Sequence, residues 1–190
     1  TVMFRRPGGG PPTISRVMAS SLRVHLAHGA SGSAASMRPW TDGLAARGFD
    51  ATPVQLPRGT AERAVPVYRA GVEPDAATVI GGQSFGGRVA SLLAADESFA
   101  GLVLLCYPLH RPGHPETAEA RTAHWPRIAC RVLLLSGESD PFARVELLRT
   151  SVSQLRDAEL VTYPGVGHGL NPVREDALDR IAAWLQRIGG

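Results

Sequence analysis

The stretch VIGGQSFGGRVASLLAA, Val79 to Ala95, sets an apolar run, a serine between two glycine pairs and a helical pattern in immediate succession. A plain turn between strand and helix needs one glycine at most. Four of them around Gln83, Ser84 and Phe85 imply a backbone held in an unusual conformation, with Gly82 and Gly86 present because a Cβ on either side of so tight a turn would clash. The pentapeptide Gly82-Gln83-Ser84-Phe85-Gly86 is G-x-S-x-G, and its strand-to-helix setting is the context that a nucleophile elbow requires. A phosphate loop is the competing reading of such a turn. Gly82 and Gly87 have the right spacing, but Arg88 and Val89 follow where that loop needs Lys and Ser or Thr, and G-x-G-x-x-G is absent.

The rest of the chain is consistent with one domain built around that turn. At 190 residues and 44% hydrophobic content it can bury one sizeable core. All 20 basic residues are arginine, scattered along the chain, and the net charge is only +3, which argues against a nucleic-acid partner. With no lysine, Schiff-base chemistry is excluded. No apolar run approaches the roughly 20 residues of a membrane helix, and the Gly- and Pro-rich start, TVMFRRPGGGPPTISRV, lacks an apolar signal core. Residues 1–20 are therefore expected to be a flexible leader, with Met18 a plausible start, residues 21–190 the domain, and the protein soluble and cytoplasmic.

Short strand-like runs recur at Leu22–Ala27, Thr52–Leu56, Ala77–Gly82, Gly101–Cys106, Arg131–Ser136 and Glu159–Tyr163, separated by amphipathic segments. Such alternation predicts an α/β fold, a parallel sheet of about six strands flanked by helices on both faces. Pro39 and Gly48 punctuate the first helix. Asn171 and Pro172 are expected to open the last, with Leu178, Ile181, Leu185 and Ile188 on its buried stripe. Pro66 interrupts the helix expected after the second strand. Cys106 and Cys130 fall at opposite ends of adjacent strands, roughly 15 Å apart, too far for a disulfide.

Ligands of open parallel sheets bind beyond the carboxyl ends of the strands. The loops there contain HGASGS, GQSFGG, YPLHRPGHP, GESDPF and GVGHGL. An alcohol oxygen becomes a nucleophile when a base removes its proton, and a carboxylate must orient that base and stabilise its cation. Ser84, His168 and Asp140 supply those three groups from three separate loops. Glu138 is the rival acid, disfavoured by loop position. The bland alternatives are a helix cap for Ser84 and Asp140 and a solvated loop histidine for His168. His28 reads as a support of its loop, His110, His114 and His124 as surface residues, and Cys106 as a core thiol. No cluster has zinc-ligand spacing, and no metal or cofactor is expected.

The order Ser84, Asp140, His168 is that of the α/β-hydrolase fold. Through LAHGASG, GGQSFGGRVAS, GLVLLCYPLHRPGHP, GESDPF and PGVGHGL the chain resembles that superfamily over nearly everything after residue 20. Within it the chain looks most like small dienelactone-hydrolase-like proteins, a subfamily that includes a testis-expressed protein and the hydrolase-like domain of a nonspecific-lethal chromatin complex subunit. This resemblance implies a serine hydrolase of small esters or thioesters, with Ser84 where dienelactone hydrolases carry cysteine. It also implies an oxyanion hole formed by the backbone N–H groups of Phe85 and Ala30. The 23 residues between Cys106 and Cys130 leave no room for a large cap domain. The expected site is thus an open cleft bordered by Trp40, Leu109, Phe142 and Leu170 beside Phe85. A non-catalytic interaction module that keeps the fold is the other function class left open.

Overall fold

Leucine-rich and β-branched runs form six strands in the computed structural model, which describes residues 22–190: β1 (Arg23–Ala27), β2 (Asp50–Val54), β3 (Thr78–Gln83), β4 (Gly101–Leu105), β5 (Arg131–Gly137) and β6 (Ala158–Tyr163). The expected leader lies outside the described residues. The helices are α1 (Arg38–Ala45), α2 (Ala61–Ala70), α3 (Phe85–Ala94), α4 (Ala118–Thr122), α5 (Val145–Ser151) and α6 (Arg174–Gly189). Strand order is β2-β1-β3-β4-β5-β6, every pairing parallel. The chain therefore steps outward from β1 to β2, then returns to the far side of β1 as β3. That reversal opens a crevice at the carboxyl ends of β1 and β3, where open sheets of this kind place their sites.

Alternation within the strands divides the core in two. Val79, Val103, Leu105, Leu133 and Leu135 face one layer, packed with Trp40 and Leu44 of α1 and Leu178, Ile181 and Leu185 of α6. Ile80, Leu102, Leu104, Val132 and Leu134 face the other, packed with Tyr68 of α2, Val89 and Leu93 of α3, and Leu148 of α5. Each fully buried side chain of this kind contributes about 1.5–3 kcal/mol by removal from water. β3 and β4 are buried almost throughout, while β2 and β6 form half-exposed edges, β2 carrying Pro53.

Two helices differ from the sequence pattern. Pro66 does not break α2, whose Ala61, Ala64 and Tyr68 bury one stripe. The Tyr68 hydroxyl lies 2.7 Å from the His25 carbonyl oxygen and accepts a hydrogen bond from Gly81 N–H at 3.1 Å, anchoring the turn beyond the proline to β1 and β3. Pro66 and Glu62, whose carbonyl loses its N–H partner, are both exposed, so water can replace it. At the last helix, Asn171 and Pro172 form a 3-10 turn and α6 starts at Arg174. The stripe of Leu178, Ile181 and Leu185 is buried as expected, and Trp184 joins it.

Candidate active site

Ser84 adopts φ 50° and ψ −112°, a left-handed backbone that a residue with a Cβ rarely takes. Its N–H donates to the Leu105 carbonyl at 2.8 Å, and its own carbonyl accepts from Arg88 N–H at 3.0 Å, so the turn is fastened to β4 on one side and to α3 on the other. A Cβ on Gly82 or on Gly86 would collide with the carbonyl oxygen of Ala27 at the end of β1. The glycines thus allow β1 to pass directly beneath the turn, which lifts Ser84 above the sheet edge.

Three loops meet there. His168 Nε2 lies 2.9 Å from Ser84 Oγ, and His168 Nδ1 lies 2.8 Å and 3.0 Å from the two Asp140 carboxylate oxygens. Since the carboxylate only accepts, Nδ1 carries the proton and Nε2 is left to accept from the serine. The Asp140 carboxylate is wholly shielded from solvent, whereas the imidazole keeps 22% of its side-chain surface. Asp140 also accepts from Phe142 N–H at 2.8 Å, closing a turn, and Pro141 follows in that turn rather than opening a helix; α5 begins only at Val145. The Phe142 ring packs on the imidazole at 4.4 Å between centroids. Glu138 points elsewhere, accepting from Thr162 Oγ1 at 2.7 Å and Arg149 Nη2 at 2.9 Å.

The loop after β1 is braced by His28. Its Nδ1–H donates to the Gly29 carbonyl at 2.7 Å and its Nε2 accepts from Leu56 N–H at 3.0 Å, tying the ends of β1 and β2 together. Gln55 reinforces the brace by accepting from Ala34 N–H at 2.8 Å. Ala30 is exposed on this loop and Phe85 is half-buried at the start of α3.

The cleft walls differ from the sequence reading. Trp40, Leu109 and Leu170 are 3%, 0% and 2% exposed and belong to the two core layers, where they present no surface to a ligand. Of the expected lining residues only Phe142 and Phe85 remain partly exposed. His110 and His124 are also buried rather than superficial. His110 Nδ1–H donates to Arg111 O at 2.8 Å and its Nε2 accepts from Arg144 N–H at 3.0 Å, while His124 Nε2 lies 2.8 Å from Ser91 Oγ. His110 thereby fastens the β4–β5 connection to the loop after β5, and His124 fastens it to α3. Cys106 and Cys130 are free thiols. Cys106 shares the positive φ of Ser84, at 49°, but burial and then the charge of Asp140 push its thiol up to about 12, which keeps it inert.

One feature escaped the sequence reading altogether. A cleft of about 560 Å³ opens beside Phe85, lined by Arg88, Arg111 and Arg121. The available signal was the place of Arg88, one helical turn after Ser84. Nothing in the sequence marked the other two arginines as its neighbours.

Residues 47–188 match the family model described as an alpha/beta hydrolase domain, and the chain belongs to that family. Among solved structures, a monoacylglycerol lipase from Paleococcus ferrophilus superposes with a TM-score of 0.72 at 17% identity, over 87% of this chain and 94% of that one. A thermophilic esterase from Thermogutta terrifontis gives 0.66 at 19% identity, over 90% and 92%. At these identities the likeness is one of fold. No curated protein sequence matches the chain.

Proposed function

We propose that the protein is a serine hydrolase that cleaves small ester or thioester substrates through an acyl-enzyme. The observation that carries this reading is the continuous hydrogen-bonded line Asp140–His168–Ser84, ending on a serine held in a left-handed turn. Ser84 Oγ attacks the carbonyl carbon as its proton passes to His168 Nε2, and Asp140 stabilises the imidazolium that forms. The backbone N–H groups of Phe85 and Ala30 receive the developing oxyanion. His168 then protonates the leaving alcohol or thiol, and a water molecule, deprotonated in turn by His168, releases the acid and restores Ser84. The lipase and esterase among the structural relatives support ester chemistry.

A fluorophosphonate probe is expected to label Ser84, and Ser84→Ala to abolish both labelling and ester hydrolysis while retaining the fold. Residual turnover above about a thousandth of wild type would assign the nucleophile elsewhere.

A further inference from the structure

The cleft beside Phe85 is walled by the first turn of α3, the start of α2 and the connection between β4 and β5. Three guanidinium groups, from Arg88, Arg111 and Arg121, line it against one carboxylate, that of Glu62. Glu62 is already engaged, accepting from Arg88 Nη2 at 2.9 Å, and Arg88 Nη1 is buried with no hydrogen-bond partner among the described residues. Arg121 donates through Nη1 to the Pro108 carbonyl at 3.1 Å, and neither it nor Arg111 has a carboxylate partner among the described residues. Elsewhere Arg23, Arg47, Arg69, Arg127, Arg131, Arg149, Arg180 and Arg187 are paired with carboxylates, whereas Arg38, Arg58, Arg63, Arg144, Arg156 and Arg174 also have no carboxylate partner among the described residues, but none of these lines the cleft. Burial, then the like charges of Arg88 and Arg111, push the Arg121 guanidinium below its ordinary value. Within this cleft three guanidinium groups thus share a single carboxylate, and the cleft adjoins Phe85, the residue following Ser84.

Guanidinium groups present planar, fixed forks of donors that match the oxygens of carboxylate and phosphate groups. We propose that this cleft is an anion subsite that receives a carboxylate or phosphate carried by the ester substrate, with Arg111 and Arg121 as its ligands and Arg88 supporting the charge behind them. The inference rests on the ester-hydrolase reading for its place beside the reacting carbonyl. The substrate class is then an ester with an anionic group at a distance from the scissile bond.

The test compares two aryl esters of equal length, the monoaryl ester of adipic acid with its free carboxylate and the corresponding ester with a terminal carboxamide. Wild type is expected to favour the carboxylate by about tenfold or more in kcat/KM, the scale of a charge-assisted contact. Arg111→Gln and Arg121→Gln should each bring that ratio toward one. Arg111 is exposed, so its replacement spares the fold even if Arg121→Gln does not. Arg156→Gln, which removes an exposed arginine just before β6, at the opposite end of the sheet, should leave the ratio as it was. Calorimetry on the Ser84→Ala protein provides an arm that needs no turnover, with adipate and inorganic phosphate as the probes. Tighter adipate binding identifies a carboxylate ester, tighter phosphate binding a phosphorylated one, and either should weaken when Arg111→Gln is added. A wild-type ratio near one, or binding of neither probe, would overturn the subsite. If neither ester is hydrolysed and the fluorophosphonate leaves Ser84 unlabelled, the hydrolase reading fails by itself, and probe binding that depends on Arg111 would still sustain the anion site.

Discussion

Asp140 and Glu138 stand two residues apart in one loop, and their surroundings separate their roles. The Asp140 carboxylate is removed from water and spends both oxygens on the His168 imidazole, whereas Glu138 is held by Thr162 and Arg149 at the outer side of the sheet. Under the proposed mechanism, Asp140→Asn should lower turnover by about 10³- to 10⁴-fold, because the amide favours the wrong imidazole tautomer and cannot stabilise its cation. Glu138→Gln should change turnover by less than about tenfold; steady-state kinetics on the two variants checks the ranking. His124 makes a second prediction, about stability. Burial, with the charges of Arg88 and Arg127, lowers its titration to about 4 from an ordinary value of 6.5. The folded protein thus resists protonating a histidine that the unfolded chain protonates readily. The stability due to the neutral form is complete above about pH 6.5 and is lost progressively as pH falls toward about 4. Thermal melts at pH 7 and pH 4.5 should show a smaller acid loss for His124→Gln than for wild type, since the amide can still meet Ser91 without taking a proton.

At the scale of the element, what could be read from the chain depended on whether local chemistry repeated. β1 and β3 to β6 fall within one residue of the expected runs, because alternation commits every second side chain to a core layer, and β2 lies two residues earlier than expected. The elbow was legible for a related reason: its glycines and serine are neighbours in sequence, so the clash that requires them is encoded locally. The connection from β4 to β5 has no such period. Its histidines, Leu109 and arginines acquire their surroundings from α3 and from the loop after β5, which lie far away in sequence, and so His110, His124 and Leu109 were misplaced and the arginine cleft went unseen. Trp40 and Leu170 were misplaced because nearness to a site along the chain does not tell whether a side chain turns inward. α2 lay between these cases, since Pro66 argued against a helix that the Tyr68 anchor maintains. Relieving that conflict should stabilise the protein: Pro66→Ala restores a donor to the Glu62 carbonyl and is expected to add about 1–2 kcal/mol, after allowance for the greater freedom of the unfolded chain. Urea unfolding of the two proteins measures the difference.

For the whole molecule, the decisive feature is what the 23-residue connection builds. It forms α4 and short 3-10 turns, with no cap domain over the sheet edge, and it contributes arginine and threonine to the cleft wall where an apolar tunnel would need leucine and phenylalanine. With Trp40, Leu109 and Leu170 committed to the core, little apolar surface is left to embrace a long chain. Each buried methylene would contribute about 0.8 kcal/mol, so neutral acyl esters should show no progressive gain in kcat/KM with length. Acetyl to butyryl aryl esters are expected to react better than octanoyl or longer ones, without activation at a lipid interface; a steady rise from two to twelve carbons would show that the connection closes over the acyl chain. The two borders of the sheet have a different consequence. β2 carries Pro53, which leaves a gap in the row of amide donors, and β6 is flanked by the charged pairs Glu159–Arg187 and Glu138–Arg149. A neighbouring molecule that tried to extend the sheet would meet a missing rung on one margin and fixed, hydrated charge on the other. The borders of the sheet therefore disfavour its templated extension by a neighbouring molecule.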